Sequence, residues 1–257
     1  MTVSYVVSGF AVGLLVGLTG VGGGSLMTPL LTLLFGIHPS VAVGTDLAFA
    51  SATKTAGTFA HRFKGTVRWD IVKRLCLGAL PAAVVTTLLL KHFGAVSESI
   101  SIFIRYSIAI SVFLTVIALL FKGKLQAWLN ANPDQQLQGT ELTRATIIAG
   151  AVLGTLVTVS SIGAGAVGAT LLVLLYPRLT PAEIAGTDIA YAVPLTAIAA
   201  FGHWWLGSID WALLGALLLG SVPGITIGSL AARAVPEKFL RGLLAITLTS
   251  VALKLVW

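Results

Sequence analysis

Long apolar runs alternate with short breaks rich in glycine, proline or charge. On that pattern the chain divides into ten helical segments, at 3–19, 25–36, 40–62, 69–92 and 99–121, then 143–160, 166–176, 181–206, 209–232 and 238–257. Crossing a bilayer as a helix takes about 20 apolar residues. The second and seventh segments, around Leu26–Phe35 and Ala166–Tyr176, are too short for that. Each follows a break made of small residues: Thr19, Gly20, Val21, Gly22, Gly23, Gly24 and Ser25 in one case, Ser160, Ser161, Ile162, Gly163, Ala164 and Gly165 in the other. Non-helical backbone at membrane depth must be buried in protein or line a wet cavity, because lipid offers it no hydrogen bonds.

The two breaks occupy corresponding places in a duplicated sequence. At an offset of 141 positions Gly9 meets Gly150, Gly13 meets Gly154, Gly22 meets Gly163 and Gly24 meets Gly165. At an offset of 142, Pro39 meets Pro181, Gly44-Thr45-Asp46 meets Gly186-Thr187-Asp188, His61 meets His203, Trp69 meets Trp211, Gly78 meets Gly220 and Pro81 meets Pro223. The matches fall on residues that shape backbone or carry chemistry. Chance agreement between leucine-rich stretches would match leucine with leucine. Paired, short, glycine-interrupted segments in two halves are the sequence signature of a transport site at a repeat interface.

Composition assigns the solvent. The 257 residues are 56% hydrophobic and 10% charged, against about 25% charged in an ordinary soluble domain. A soluble core of this size has no room for so much apolar surface. The net charge of +7 would suggest nucleic acid in a soluble protein, but the basic residues sit in short loops and no basic stretch is interleaved with aromatics. Nucleic-acid binding is set aside. The single cysteine, Cys76, allows no internal disulfide. No Cys/His cluster has metal-ligand spacing, no catalytic constellation is evident, and no cofactor is called for. Val3 to Leu18 lacks the basic start of a signal peptide and is expected to be a retained helix.

Charge also predicts topology. The loop after the third segment carries Arg62, Lys64, Arg68, Lys73 and Arg74 near its ends, whereas its counterpart after the eighth, 203–210, has no Lys or Arg. Loops with opposite basic bias lie on opposite sides of the membrane. Five segments per repeat is an odd number, which by itself makes the second copy enter inverted. With the first loop cytoplasmic, only Lys91 and Lys254 fall outside, Lys54 and Arg105 lie within segments, and both termini are external. The expected division is a first repeat at 1–121, a polar cytoplasmic linker at 122–142 and a second repeat at 143–257.

Several residues are candidates for chemistry. Thr19, Gly20, Gly22, Gly23, Gly24 and Ser25, with Ser160, Ser161, Gly163 and Gly165, either let helices pack closely or present free backbone N–H groups and the positive end of a short helix to an anion. Asp46 and Asp188 either support helix starts or act as coupling-ion sites, since carboxylates within a membrane are costly and tend to be functional. Lys54 lies two turns beyond Asp46, about 12 Å along the axis, and either attracts a substrate anion or pairs with a carboxylate. Thr45, Thr187 and Tyr191 are candidate substrate ligands. His61 and His203 either anchor helix ends at the interface beside tryptophans or serve as proton relays.

The run Gly20-Val21-Gly22-Gly23-Gly24-Ser25, then Pro29 and Gly44-Thr45-Asp46-Leu47, then His61-Arg62-Phe63-Lys64-Gly65-Thr66-Val67-Arg68-Trp69-Asp70, with the second copy ending Gly207-Ser208-Ile209-Asp210-Trp211, resembles the TauE/SafE family of sulfite and organosulfonate exporters. The resemblance covers nearly the whole chain. It implies a cytoplasmic-membrane transporter of small sulfur-containing or other organic anions, working outward. The expectation is therefore an all-α polytopic membrane protein with two inverted repeats of five segments. A small anion binds between the glycine breaks, and one repeat rocks against the other, with proton coupling through Asp46 or Asp188. A passive anion channel is the alternative.

Overall fold

Nine α-helices follow one another in the computed structural model: α1 (Thr2–Thr19), α2 (Gly24–Leu34), α3 (Pro39–Phe63), α4 (Trp69–His92), α5 (Glu98–Ala131), α6 (Gly139–Ser160), α7 (Ala166–Leu175), α8 (Pro181–Trp205) and α9 (Trp211–Ala231). The structure describes residues 2–19, 24–63, 65–94, 97–132, 136–231 and, near the C-terminus, 242, 245–246, 248–250 and 253–254. The loop at 20–23 and most of the tenth expected segment, 238–257, lie outside the described residues. No strand occurs among those described.

Local chemistry accounts for the helix ends. Ser97 caps α5 by accepting from the Ile100 N–H, and Thr180 with Glu183 forms a complete capping box at the start of α8. Asp70 in the first turn of α4 and Lys91 and His92 in its last turn complement the helix dipole. The fifth segment, expected to end at 121, runs on as helix into the linker stretch, because α5 continues to Ala131. Lys, Leu, Gln, Ala and Trp are good or tolerable helix formers. The stop comes at Asn132, which has left the helical region (φ −126°, ψ 71°) immediately before Pro133.

Helices α4, α5, α6, α8 and α9 each contain a window long and apolar enough to cross a membrane. Large apolar side chains on their outer faces, such as Leu77, Val85, Phe103, Ile110, Phe113 and Leu219, are exposed. An apolar exterior of this extent belongs in lipid. Helices α2 and α7, at 11 and 10 residues, are too short to span.

The halves interlock rather than sit side by side. On α9, a Cβ at Gly220, Gly224 or Gly228 would overlap the carbonyl of Val6, Phe10 or Leu14 on α1. A Cβ at Gly9 or Gly13 would in turn strike the backbone of Leu217 or Ser221. The α4–α6 pair repeats this with the halves exchanged: Gly78 lies against Ile147, Gly150 against Leu75 and Gly154 against Ala79. Rising residue numbers on one helix meet rising numbers on its partner, so α1 runs parallel to α9 and α4 to α6. The same kind of contact thus recurs with the partners exchanged. Glycine at these crossings lets backbone meet backbone, the closest packing open to membrane helices.

Candidate functional site

The break between α6 and α7 builds the centre of the molecule. Helix α6 is capped by Ser161, held in the left-handed region (φ 58°, ψ 3°), where its N–H donates to the Val157 carbonyl over 2.7 Å. This conformation is strained for a residue other than glycine. The Ser160 hydroxyl donates to the Leu156 carbonyl over 2.7 Å and lies 3.0 Å from the Ser111 hydroxyl of α5, while the Ile162 N–H donates back to it over 3.2 Å. Gly163 and Gly165 take φ values of 134° and 131°, which side chains resist. The chain then turns into α7, whose first turn closes with the Gly168 N–H on the Gly163 carbonyl and the Ala169 N–H on the Gly165 carbonyl, both at 2.8 Å.

Charged groups from α3 and α8 converge on this break. Lys54 is part-buried, and its Nζ donates to the Ala164 carbonyl over 3.2 Å. Asp188 and, more weakly, Asp46 act on it electrostatically. Asp188 is 5% exposed and abuts Gly168, so that a Cβ there would overlap its Oδ1; the Gly165 backbone N–H faces the same carboxylate. Tyr191, one turn on from Asp188, is fully buried and brings its hydroxyl to the same point on Gly168. Asp46 is fully buried. Its Oδ2 accepts from the Thr28 hydroxyl of α2 over 2.5 Å, and Ser161 stands beside it.

The cluster is under-satisfied. Asp46 Oδ1, Ser161 Oγ, Asp188 Oδ1 and Tyr191 OH are all buried without a hydrogen-bond partner among the described residues. Stranding one such group costs about 1–3 kcal/mol. Four such atoms gather around the α6–α7 break and the helices packed on it.

The remaining candidates divide. Ser160, Gly163 and Gly165 shape the break, as their sequence context predicts. Gly20, Gly22 and Gly23 lie outside the described residues. Thr19 ends α1, and Gly24 and Ser25 open α2. Thr45 and Thr187 face away from the cluster. The Thr45 hydroxyl accepts from the Asp210 N–H and the Thr187 hydroxyl from the Arg68 N–H, each over 3.1 Å, so each ties the start of its helix to a loop of the other half. Valine at either position is expected to cost about 1 kcal/mol. The two losses should add in the double variant, because the sites are separate. Thermal denaturation in detergent measures this, and a double variant no less stable than either single one would refute the bridging role.

His203 corrects the expectation of an interface anchor. It is fully buried, and its Nε2 lies 2.9 Å from the Thr158 carbonyl of α6. Trp69, Trp204, Trp205 and Trp211, by contrast, are exposed at helix ends. The His61 side chain lies outside the described residues. Thr28, Ser111 and Gly168 were not singled out from the sequence. The available signal was a buried hydroxyl or a small residue within an otherwise apolar short or long helix.

At the far end of α7 a cavity of about 560 Å³ opens among Arg68, Asp70, Gln138, Tyr176, Arg178 and Glu183. There Arg68 pairs with Glu183 across 3.4 Å, joining the start of α4 to the start of α8. The opposite ends of the same two helices meet where Lys91 Nζ lies 3.3 Å over the Trp205 ring.

The family model described as Sulfite exporter TauE/SafE matches residues 5–255. The chain is 40% identical over 230 residues to the "Probable membrane transporter protein YjnA" of Bacillus subtilis (strain 168), covering 89% of each protein. It is 28% identical over 241 residues to "Probable membrane transporter protein YdhB" of the same organism, covering 93% of each. A "Probable membrane transporter protein" of Xylella fastidiosa (strain 9a5c) is 28% identical over 265 residues, with 97% of this chain and 93% of that one aligned. No solved structure matches significantly.

Proposed function

Because the chain belongs to the sulfite exporter TauE/SafE family, a family of membrane transporters, we propose that it carries a small anion across the cytoplasmic membrane by alternating access. The anion is of the sulfur-oxyanion, sulfonate or small carboxylate class. It binds at the α6–α7 break, coupled to protons through Asp46 and Asp188. The observation that carries this reading is the convergence of Lys54, two buried acids and interrupted backbone within helices of a lipid-facing bundle. Backbone N–H groups and a lysine suit a compact oxyanion.

An inverted arrangement of the halves is supported by the packing. The α1–α9 and α4–α6 pairs run parallel, and short turns of the kind joining α3 to α4 and α8 to α9 ordinarily reverse direction. Because α4 and α8 also meet start to start and end to end, and so run parallel, α1 and its counterpart α6 run oppositely. The end of the bundle bearing Arg68, with Lys73 and Arg74 in the first turns of α4, is cytoplasmic by the positive-inside rule, which leaves both termini external. The cavity beside Arg68 and Arg178 then serves as the cytoplasmic entrance.

The moving parts are not the sequence repeats. Backbone interlocks join α1 to α9 and α4 to α6, while α4 and α8 are tied at both ends. Each rigid body therefore draws helices from both halves, with the packing of α3 on α8 at the boundary between them.

Counterflow in proteoliposomes tests the function. Vesicles preloaded with unlabelled sulfite, sulfate, methanesulfonate or acetate should accelerate uptake of the same labelled anion for at least one of the four. Saturable exchange supports a carrier. Conductive flux without counterflow would support a channel, and no protein-dependent flux of any of them would remove the anion reading.

A further inference from the structure

We infer that the Asp188 carboxylate is a resident anion occupying the substrate's own place. An incoming anion displaces it, and the displaced Asp188 takes up one proton. The inference rests on the anion-transport reading above and adds the sense and site of the coupling.

The seat is the start of α7. That helix begins with the Gly165 N–H directed at the Asp188 carboxylate, and its positive end adds to the attraction. Lys54 approaches from α3. A substrate oxyanion would seek these same three features, and the carboxylate already holds them. Gly168 leaves the carboxylate room, since any side chain there would overlap Asp188 Oδ1 and the Tyr191 hydroxyl. Both of those atoms are at least nine-tenths buried and lack a partner among the described residues. The contact is thus close in space but incompletely bonded, as a displaceable one must be.

Charge requires the proton. The titratable groups facing Asp188 among the described residues are Lys54 and Asp46 from α3, Lys122 from α5, Tyr191 on its own helix and, beyond Tyr191, Cys76 from α4. Of these Lys54 acts most strongly on it, ahead of Lys122. Lys54 cannot by itself neutralise both an ionised carboxylate and an ionised substrate in a low-dielectric site, and Lys122 acts more weakly. A second like charge at such distances shifts an ionisation equilibrium by about 10- to 1,000-fold. The proton adds to a carboxylate oxygen of Asp188, which leaves the seat as a neutral carboxylic acid, and the Tyr191 hydroxyl stands beside it as an acceptor. Anion and proton are then bound together and released together. Transport of a monoanion by this cycle is electroneutral.

The test uses purified full-length protein with methanesulfonate and with sulfate, both fully ionised from about pH 5.5 to about pH 8.5. In weak buffer with a pH indicator, wild-type protein is expected to take up about one proton per methanesulfonate bound, and its affinity should fall as pH rises. Asp188→Asn is expected to bind the anion at about pH 8.5 at least about tenfold more tightly than wild type, with proton uptake lost and the pH slope flattened. A merely structural aspartate would instead lower affinity and leave the slope in place. Saturable binding without proton uptake in the wild type would overturn the displacement mechanism and leave the anion reading standing. This measurement decides the matter even if the variant does not fold. Absence of saturable binding of either probe at every pH would overturn both.

Discussion

Replacing Lys54 by methionine is expected to lower saturable anion flux by about 100-fold while the protein still folds. Methionine keeps the length of the side chain and removes its charge. The loss follows from the surroundings. Lys54 is the cation that meets the α6–α7 break, through the Ala164 carbonyl, and acts on both Asp46 and Asp188. Without it a bound anion faces two carboxyls with only the weaker influence of Lys122 to offset them. The acids can adopt their neutral forms in the variant, so the fold is expected to survive. Flux and melting temperature should be read on the same preparations. Lys54→Arg preserves the charge with a different shape and should recover part of the flux. A methionine variant whose flux stays within about threefold of wild type would remove Lys54 from the substrate path.

Valine in place of Gly220 is expected to destabilise the fold by about 3 kcal/mol or more, enough to shift most of the protein into aggregates on extraction. The added atoms would enter the backbone of Val6 and Phe10 on α1. Backbone cannot swing aside as a flexible side chain can, so two whole helices would have to separate. Gly78→Val should behave alike, because Gly78 meets Ile147 and Ala151 in the equivalent place on α4 and α6. Gly215 provides the control. It lies in the same helix as Gly220, with open space where a Cβ would go. Gly215→Ala should be neutral or stabilising by up to about 1 kcal/mol, from helix propensity alone. Fluorescence-detected size exclusion after heating distinguishes the two. Equal behaviour of Gly220→Val and Gly215→Ala would disprove the interlock.

The site was partly legible in the sequence. Lys54, Asp46 and Asp188 stand out because charge inside an apolar run is costly wherever it occurs. Ser161, Gly163 and Gly165 stand out because they interrupt a helix at membrane depth. Tyr191 was legible only as a polar group near an acid. Thr28 was not singled out, since a threonine in an apolar helix ordinarily bonds its own backbone, as Thr32 does to the Thr28 carbonyl. Thr45 and Thr187 look identical to substrate ligands from sequence alone. Their hydroxyls are taken by Asp210 and Arg68 of the opposite halves, which no local pattern reveals. His203 reads as an interface residue from its place at a helix end, and α6 covers it.

Helix positions, the internal duplication, the lipid-facing composition and the two short segments follow from the chain alone. These features rest on near-neighbour effects: hydropathy over a run of residues, glycine and proline as punctuation, and the requirement that backbone in lipid bond to itself. The pairing of α1 with α9 and α4 with α6, the bridge of each threonine to the other half, and the place of the Asp188 carboxylate at the start of α7 came only with the folded molecule. They join residues far apart in sequence, and they depend on which helix surfaces are smooth enough to touch. Glycine marks such a surface but does not say which partner will meet it.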